Sequence, residues 1–118
     1  KMIKGESPII NGSGEYSRDF TYIDNVVLAN IFALTTNNKD CFGEVFNIGT
    51  NNNVSILELV HKINKKLNKE IQPIFNPERK GDVPHSHANI NKAKKMLNYE
   101  PIVLFDSGLS KTIDYFMI

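Results

Sequence analysis

Apolar residues along the chain follow two rhythms, a short extended one and a helical one, and they take turns. Pro8-Ile9-Ile10-Asn11 is a brief extended run that stops at the turn Asn11-Gly12-Ser13-Gly14. Phe20-Thr21-Tyr22-Ile23 is rich in aromatic and β-branched residues and predicts a strand. Asp24 or Asn25 is then placed to cap a helix from about Val26 to Leu34, with Val27, Ala29, Ile31 and Leu34 giving a mixed apolar face. Residues 35–41 form a polar loop. Glu44-Val45-Phe46-Asn47-Ile48 predicts a second strand, stopped by Gly49-Thr50-Asn51-Asn52-Asn53.

The clearest helix opens at Ser55-Ile56-Leu57-Glu58, a capping box in which the serine and the glutamate satisfy each other's orphan backbone donors. Ile56, Leu59, Val60, Ile63 and Leu67 follow at helical spacing, with lysines opposite. Residues 71–75 predict a short strand, and Asn76-Pro77-Glu78 starts the loop that carries Arg79. Asn91 is expected to cap a short helix holding Ala93, Met96 and Leu97, which Pro101 cannot continue. Asp106-Ser107 is expected to cap a last helix with Leu109, Ile113 and Phe116 inward. Short strands alternating with about four helices predict one α/β unit without internal repeats.

At 118 residues the chain fits one domain with a modest core. The net charge of +1, from 14 basic and 13 acidic residues, argues against a nucleic-acid or membrane-surface binder. No apolar run approaches the roughly 18–20 residues of a membrane span, and no signal peptide opens the chain. Cys41 has no partner for an internal disulfide, which points to a reducing compartment. Lys1-Met2-Ile3-Lys4-Gly5-Glu6 reads as a helix tail entering a loop, so the chain is expected to be a fragment of something longer.

Candidate chemistry gathers around two arginines. Arg18 lies in Gly14-Glu15-Tyr16-Ser17-Arg18-Asp19-Phe20, and Arg79 in Arg79-Lys80-Gly81-Asp82-Val83-Pro84-His85-Ser86. A guanidinium is a planar fork that meets phosphate oxygens two at a time, so two of them in loops beside glycines suit a pyrophosphate. Asp82 could accept from ribose hydroxyls. Each arginine also has a plain reading as a solvated surface charge. Gly12-Ser13-Gly14 is not a dinucleotide fingerprint, because it lacks the third glycine and a following helix start. His85 and His87 flank Ser86 without a third ligand at metal spacing, and His61 reads as a solvent-edge residue. Lys92, Lys94 and Lys95 read as a solvated helix face. No nucleophile–base pair for covalent catalysis is visible.

Taken in order, Gly12 to Val27, Val45 to Thr50, Ser55 to Leu59, Arg79 to Val83, Ala88 to Ala93, Leu97 to Pro101 and Gly108-Leu109 resemble the C-terminal half of NAD-dependent nucleotide-sugar epimerases and dehydratases. These belong to the extended short-chain dehydrogenase/reductase class, and the similarity is greatest to the UDP-N-acetylglucosamine 4-epimerase branch of surface-polysaccharide biosynthesis. The resemblance implies that Arg18 and Arg79 contact the nucleotide diphosphate and Asp82 holds the ribose. It places Ile10 and Asn11 where the chain runs past the base, and Ser86 beside the pocket for the sugar's 2-substituent. A bulky tyrosine closes that pocket in relatives limited to UDP-glucose and UDP-galactose, so serine implies UDP-GlcNAc/UDP-GalNAc or their uronic forms.

The resemblance also implies what lies elsewhere. Residues 1–118 would be a C-terminal UDP-sugar-binding region, with NAD held by an N-terminal Rossmann domain outside the chain. Catalysis in the family uses a Tyr-x-x-x-Lys pair, in which tyrosinate takes a sugar hydroxyl proton while NAD takes a hydride. No such pair occurs here, because Tyr16, Tyr22 and Tyr99 are followed four positions on by Phe20, Val26 and Val103. The parent is expected to be a cytoplasmic homodimer that binds neither nucleic acid nor membrane. A 4,6-dehydratase, a decarboxylase and a non-catalytic nucleotide-sugar-binding module are the alternatives.

Overall fold

Short strands and four helices alternate through residues 1–118, all of which the computed structural model describes. Strand β1 (Ile9–Asn11) runs parallel to β4 (Ile74–Asn76), with Ile10 opposite Phe75. A second sheet is centred on β2 (Ser17–Arg18), flanked by antiparallel β3 (Val54–Ser55) and parallel β5 (His85–Ser86). The helices are α1 (Ile23–Thr35), α2 (Ile56–Leu67), α3 (Asn91–Leu97) and α4 (Phe105–Phe116). This is the α/β arrangement the sequence predicts.

Helix α2 starts where its capping signal lies, with Ser55 Oγ accepting the Glu58 amide at 3.0 Å. It ends at Asn68, in the left-handed conformation. Its Ile56, Ile63 and Leu67 pack around Met2, Ile10 and Val60 in the smaller of two core clusters. The larger cluster joins Ala29 of α1, Cys41 and Ile90 to Ala93, Leu97 and Tyr99.

Two predicted strands are not strands. Phe20 to Tyr22 is irregular and α1 already begins at Ile23, because the aromatic side chains are taken up by α4. The Phe20 and Phe105 rings lie 5.6 Å apart, and Gly108 sits so close to Tyr22 that an added Cβ would meet the Tyr22 Cβ at 2.8 Å. Residues 44–48 find no partner strand in the chain. They are held instead by Lys92, which pairs with Glu44 and donates to the Val45 carbonyl at 3.0 Å.

Helix caps also shift. Asn25 is no cap but a fully buried residue within α1. Its amide donates to the Val103 carbonyl at 2.7 Å and accepts from the Ile102 and Val103 amides at 2.8 and 3.0 Å. Asn91 is the first residue of α3, and its N–H is taken by Asn89 Oδ1 at 3.0 Å. Asp106 and Ser107 lie inside the first turn of α4, where Asp106 accepts from Lys62 at 2.7 Å.

Of the apolar face expected on α1, only Ala29 is buried. Asn25, Ala29 and Phe32 turn inward, while Ile23, Val27, Ile31 and Leu34 form an exposed apolar stripe, Leu34 at 85%. Phe116, expected inward on α4, is 67% exposed. The molecule is a slab of 50 × 35 × 16 Å with a radius of gyration of 16.9 Å. A compact domain of this length would have a radius near ~13–14 Å. Only 19 of 118 residues are buried, so much apolar surface awaits a cover.

Candidate functional site

The turn between β1 and β2 and the loop between β4 and β5 meet at one edge of the slab. Two glycines make that meeting possible. Gly12, at φ +80°, lets the Glu78 side chain approach to 3.0 Å from the position of an added Cβ. Gly14, at φ +81°, would drive a Cβ to within 2.7 Å of Leu57 Cγ on α2. The turn therefore packs against α2 and leads into a strand rather than a helix N-terminus. These residues do not fit a dinucleotide.

The result is a cleft of about 220 Å³ lined by Ile9, Ile10, Asn11, Tyr16, Arg18, Ile56 and Asp82. Four of the sequence-predicted residues, Ile10, Asn11, Arg18 and Asp82, thus share one wall. Ile10 is 3% exposed and belongs to the core, so it contributes little open surface to the cleft. The volume falls short of the ~300–1,000 Å³ typical of small-molecule pockets. A larger cleft of about 330 Å³, between Phe20, Tyr22, Leu59, Ile63, Phe105 and Leu109, has no charged group in its lining.

Arg18 is on a strand, not in a loop as its glycine-rich surroundings suggest. Its Nη1 donates to the Ser17 carbonyl at 2.7 Å and to the Pro84 carbonyl at 3.4 Å. Nε and Nη2 make no bond within the chain and keep part of the fork available. The neighbouring carboxylate does not pair with it. Asp19 instead accepts Thr50 N–H, Thr50 Oγ1 at 2.6 Å and Asn51 N–H at 3.0 Å, tying β2 to the 49–51 turn.

Ser86 lies on β5 in register with Arg18, so the two side chains share a face of the sheet. Arg79 does not line the cleft. It sits at the exposed start of a turn closed by Asp82 N–H donating to the Arg79 carbonyl at 3.2 Å.

Tyr16 and Ser17, which sequence reasoning passed over, belong to this region together with His85, considered there only as a metal ligand. The Tyr16 phenol is held above its ordinary pKa by loss of solvent, then by the negative charges of Glu78 and Asp82, against the pull of Arg18. Ser17 Oγ lies 2.9 Å from His85 Nδ1, across 68 residues of sequence. That serine–imidazole pair was invisible in the linear chain. No carboxylate bonds its imidazole, so it lacks the orienting third member of a nucleophilic triad.

The family model described as GDP-mannose 4,6 dehydratase matches residues 1–112. Three solved structures are close. The UDP-glucose 4-epimerase of Thermotoga maritima, with UDP-glucose, is 39% identical at a TM-score of 0.90, over 98% of this chain and 36% of that one. The UDP-glucuronic acid 4-epimerase of Bacillus cereus, with UDP-glucuronic acid and NAD, is 34% identical at 0.92, over 98% and 37%. The UDP-N-acetylglucosamine 4-epimerase of Methanobrevibacter ruminantium M1, with UDP-N-acetylmuramic acid, is 31% identical at 0.88, over 98% and 36%. The chain spans about a third of the length of the curated relatives it matches.

Proposed function

The chain belongs to the GDP-mannose 4,6 dehydratase family, and we propose that it is the UDP-sugar-holding lobe of a nucleotide-sugar 4-epimerase. Residues 1–118 form its C-terminal region. NAD and the Tyr-x-x-x-Lys pair belong to an N-terminal Rossmann domain outside the chain, which would also cover the α1 stripe. The observation that carries the reading is the cleft lined by both Arg18 and Asp82, with Ser86 in register beside Arg18.

In this reading Arg18 and Arg79 hold the diphosphate, Asp82 accepts from the ribose hydroxyls, and the Ile10-Asn11 backbone runs along the base. The tie of Arg18 Nη1 to two carbonyls fixes the guanidinium before ligand arrives, which lowers the ordering cost of binding. Ser86 leaves the volume of a phenol ring open beside the sugar, room for a 2-acetamido group. The substrates are UDP-GlcNAc and UDP-GalNAc, or their uronic forms, destined for surface polysaccharide. The parent is a cytoplasmic homodimer. Cys41 is buried and free, and no helix is long and apolar enough to cross a membrane.

A second reading, a 4,6-dehydratase, has in its favour the description of the matching family model. One experiment separates the two. The complete gene product is incubated with NAD and UDP-GlcNAc or UDP-glucuronate, and products are resolved by NMR. A mixture of C4 epimers supports the epimerase. A 4-keto-6-deoxy sugar supports the dehydratase, and unchanged substrate with tight UDP binding supports a non-catalytic module.

A further inference from the structure

We propose that His85 and Ser17 form a positioning pair that locks the loop carrying Arg79 and Asp82 in register with Arg18. The inference rests on the UDP-binding role of that loop. Residues 77–87 are all exposed, and strands β2 and β5 are two residues each. So short a ladder specifies its own register weakly, and a slip of one residue turns every side chain to the other face. The two-residue ladder is flanked by backbone bonds from Ser17 N–H to the Pro84 carbonyl at 2.9 Å and from Asp19 N–H to the Ser86 carbonyl at 3.1 Å.

Side chains supply the rest. Arg18 Nη1 reaches the Pro84 carbonyl at 3.4 Å, a long bond from a group the ligand also uses. Ser17 Oγ and His85 Nδ1 meet at 2.9 Å on the opposite face, out of the ligand's way. The bond forms with either tautomer: the hydroxyl donates to a bare Nδ1, or Nδ1–H donates to the hydroxyl oxygen. Ser17 is 8% exposed, so its hydroxyl is shielded while His85 lies on the exposed side of the pair.

With the pair in place, Ser17 opposes His85 and Arg18 opposes Ser86, which sets the sugar-side residue beside the phosphate-side residue. It also anchors the chain three residues beyond Asp82. Without it the loop must be ordered at the expense of ligand affinity. Neither residue touches the ligand in this account.

The test is calorimetric titration of UDP into the complete gene product, as wild type, Ser17→Ala, His85→Ala, the double variant, His85→Asn and Arg79→Ala. His85→Ala and Ser17→Ala are each expected to weaken UDP about five- to tenfold, the scale of one hydrogen bond. The double variant should lose no more than either single one, and His85→Asn, whose amide can reach Ser17 Oγ, should recover most of the loss. A purely structural defect would give losses that multiply and no rescue by asparagine. If His85→Ala fails to fold, Ser17→Ala and His85→Asn decide alone. Wild-type affinity in Ser17→Ala and His85→Ala, with Arg79→Ala weakened, overturns the pair and leaves the UDP reading standing. Absence of UDP binding by the wild type overturns both.

Discussion

Replacing Asp19 by asparagine should loosen the 49–51 turn and, through it, the strand that carries Arg18. The carboxylate accepts Thr50 N–H at 3.0 and 3.2 Å from its two oxygens, Thr50 Oγ1 at 2.6 Å and Asn51 N–H at 3.0 Å. An amide keeps one acceptor oxygen and turns an NH2 toward the other donors. The Thr50 hydroxyl can reverse and accept, but a backbone N–H cannot. One bond from backbone to a charged acceptor is therefore lost and another becomes neutral, a cost of about 1.5–3 kcal/mol. At about 2 kcal/mol, local opening becomes roughly 30-fold more frequent. Amide hydrogen exchange at Thr50 and Asn51, read by mass spectrometry or NMR, measures that opening directly. Exchange within threefold of wild type in a folded Asp19→Asn protein would refute the reasoning.

Three further outcomes follow from the site. Arg79→Ala in the complete gene product should lower kcat/KM for the UDP-sugar by about 2–4 kcal/mol equivalent, the scale of a charge-assisted phosphate contact, and unchanged steady-state kinetics would remove that role. Ser86→Tyr should exclude N-acetylated substrates selectively, so equal losses for UDP-Gal and UDP-GalNAc in competition assays would count against the pocket. The Tyr16 and Tyr99 phenols are both held above the ordinary value, in each case chiefly by burial. The unfolded chain therefore ionises first, and stability should fall as pH rises through about 10, with nothing lost below it. Denaturant titrations between about pH 9 and 11 should show a flatter fall for Tyr99→Phe, and a rising curve would contradict the sign.

Helix α2 was legible because its signals are local: a serine, a glutamate three residues on, and an apolar stripe at helical spacing. The same local logic misread residues 20–23, where β propensity was overridden by packing of Phe20 and Tyr22 under α4. It misread Asn25 for the same reason, since an asparagine beside a helix start looks like a cap until Val103 arrives from far along the chain. The arginines and Asp82 were visible as residue types in loop-like settings. Their placement was not, because β2 and β5 are too short to carry any periodicity. The pairing of Arg18 with Ser86, and of Ser17 with His85, spans 68 residues and emerges only when the sheet forms.

The exposed stripe of α1 and the thin slab shape leave apolar surface uncovered on a helix face. On the proposed reading as one lobe of a larger enzyme, the 118 residues alone are expected to bind UDP no better than about millimolar.

The most direct test is a crystal structure of the complete gene product with UDP bound. The account predicts the diphosphate between the Arg18 and Arg79 guanidinium groups, a ribose hydroxyl on Asp82, and Ser86 facing the position of the sugar. A nucleotide bound elsewhere, or one whose diphosphate touches neither arginine, would contradict it.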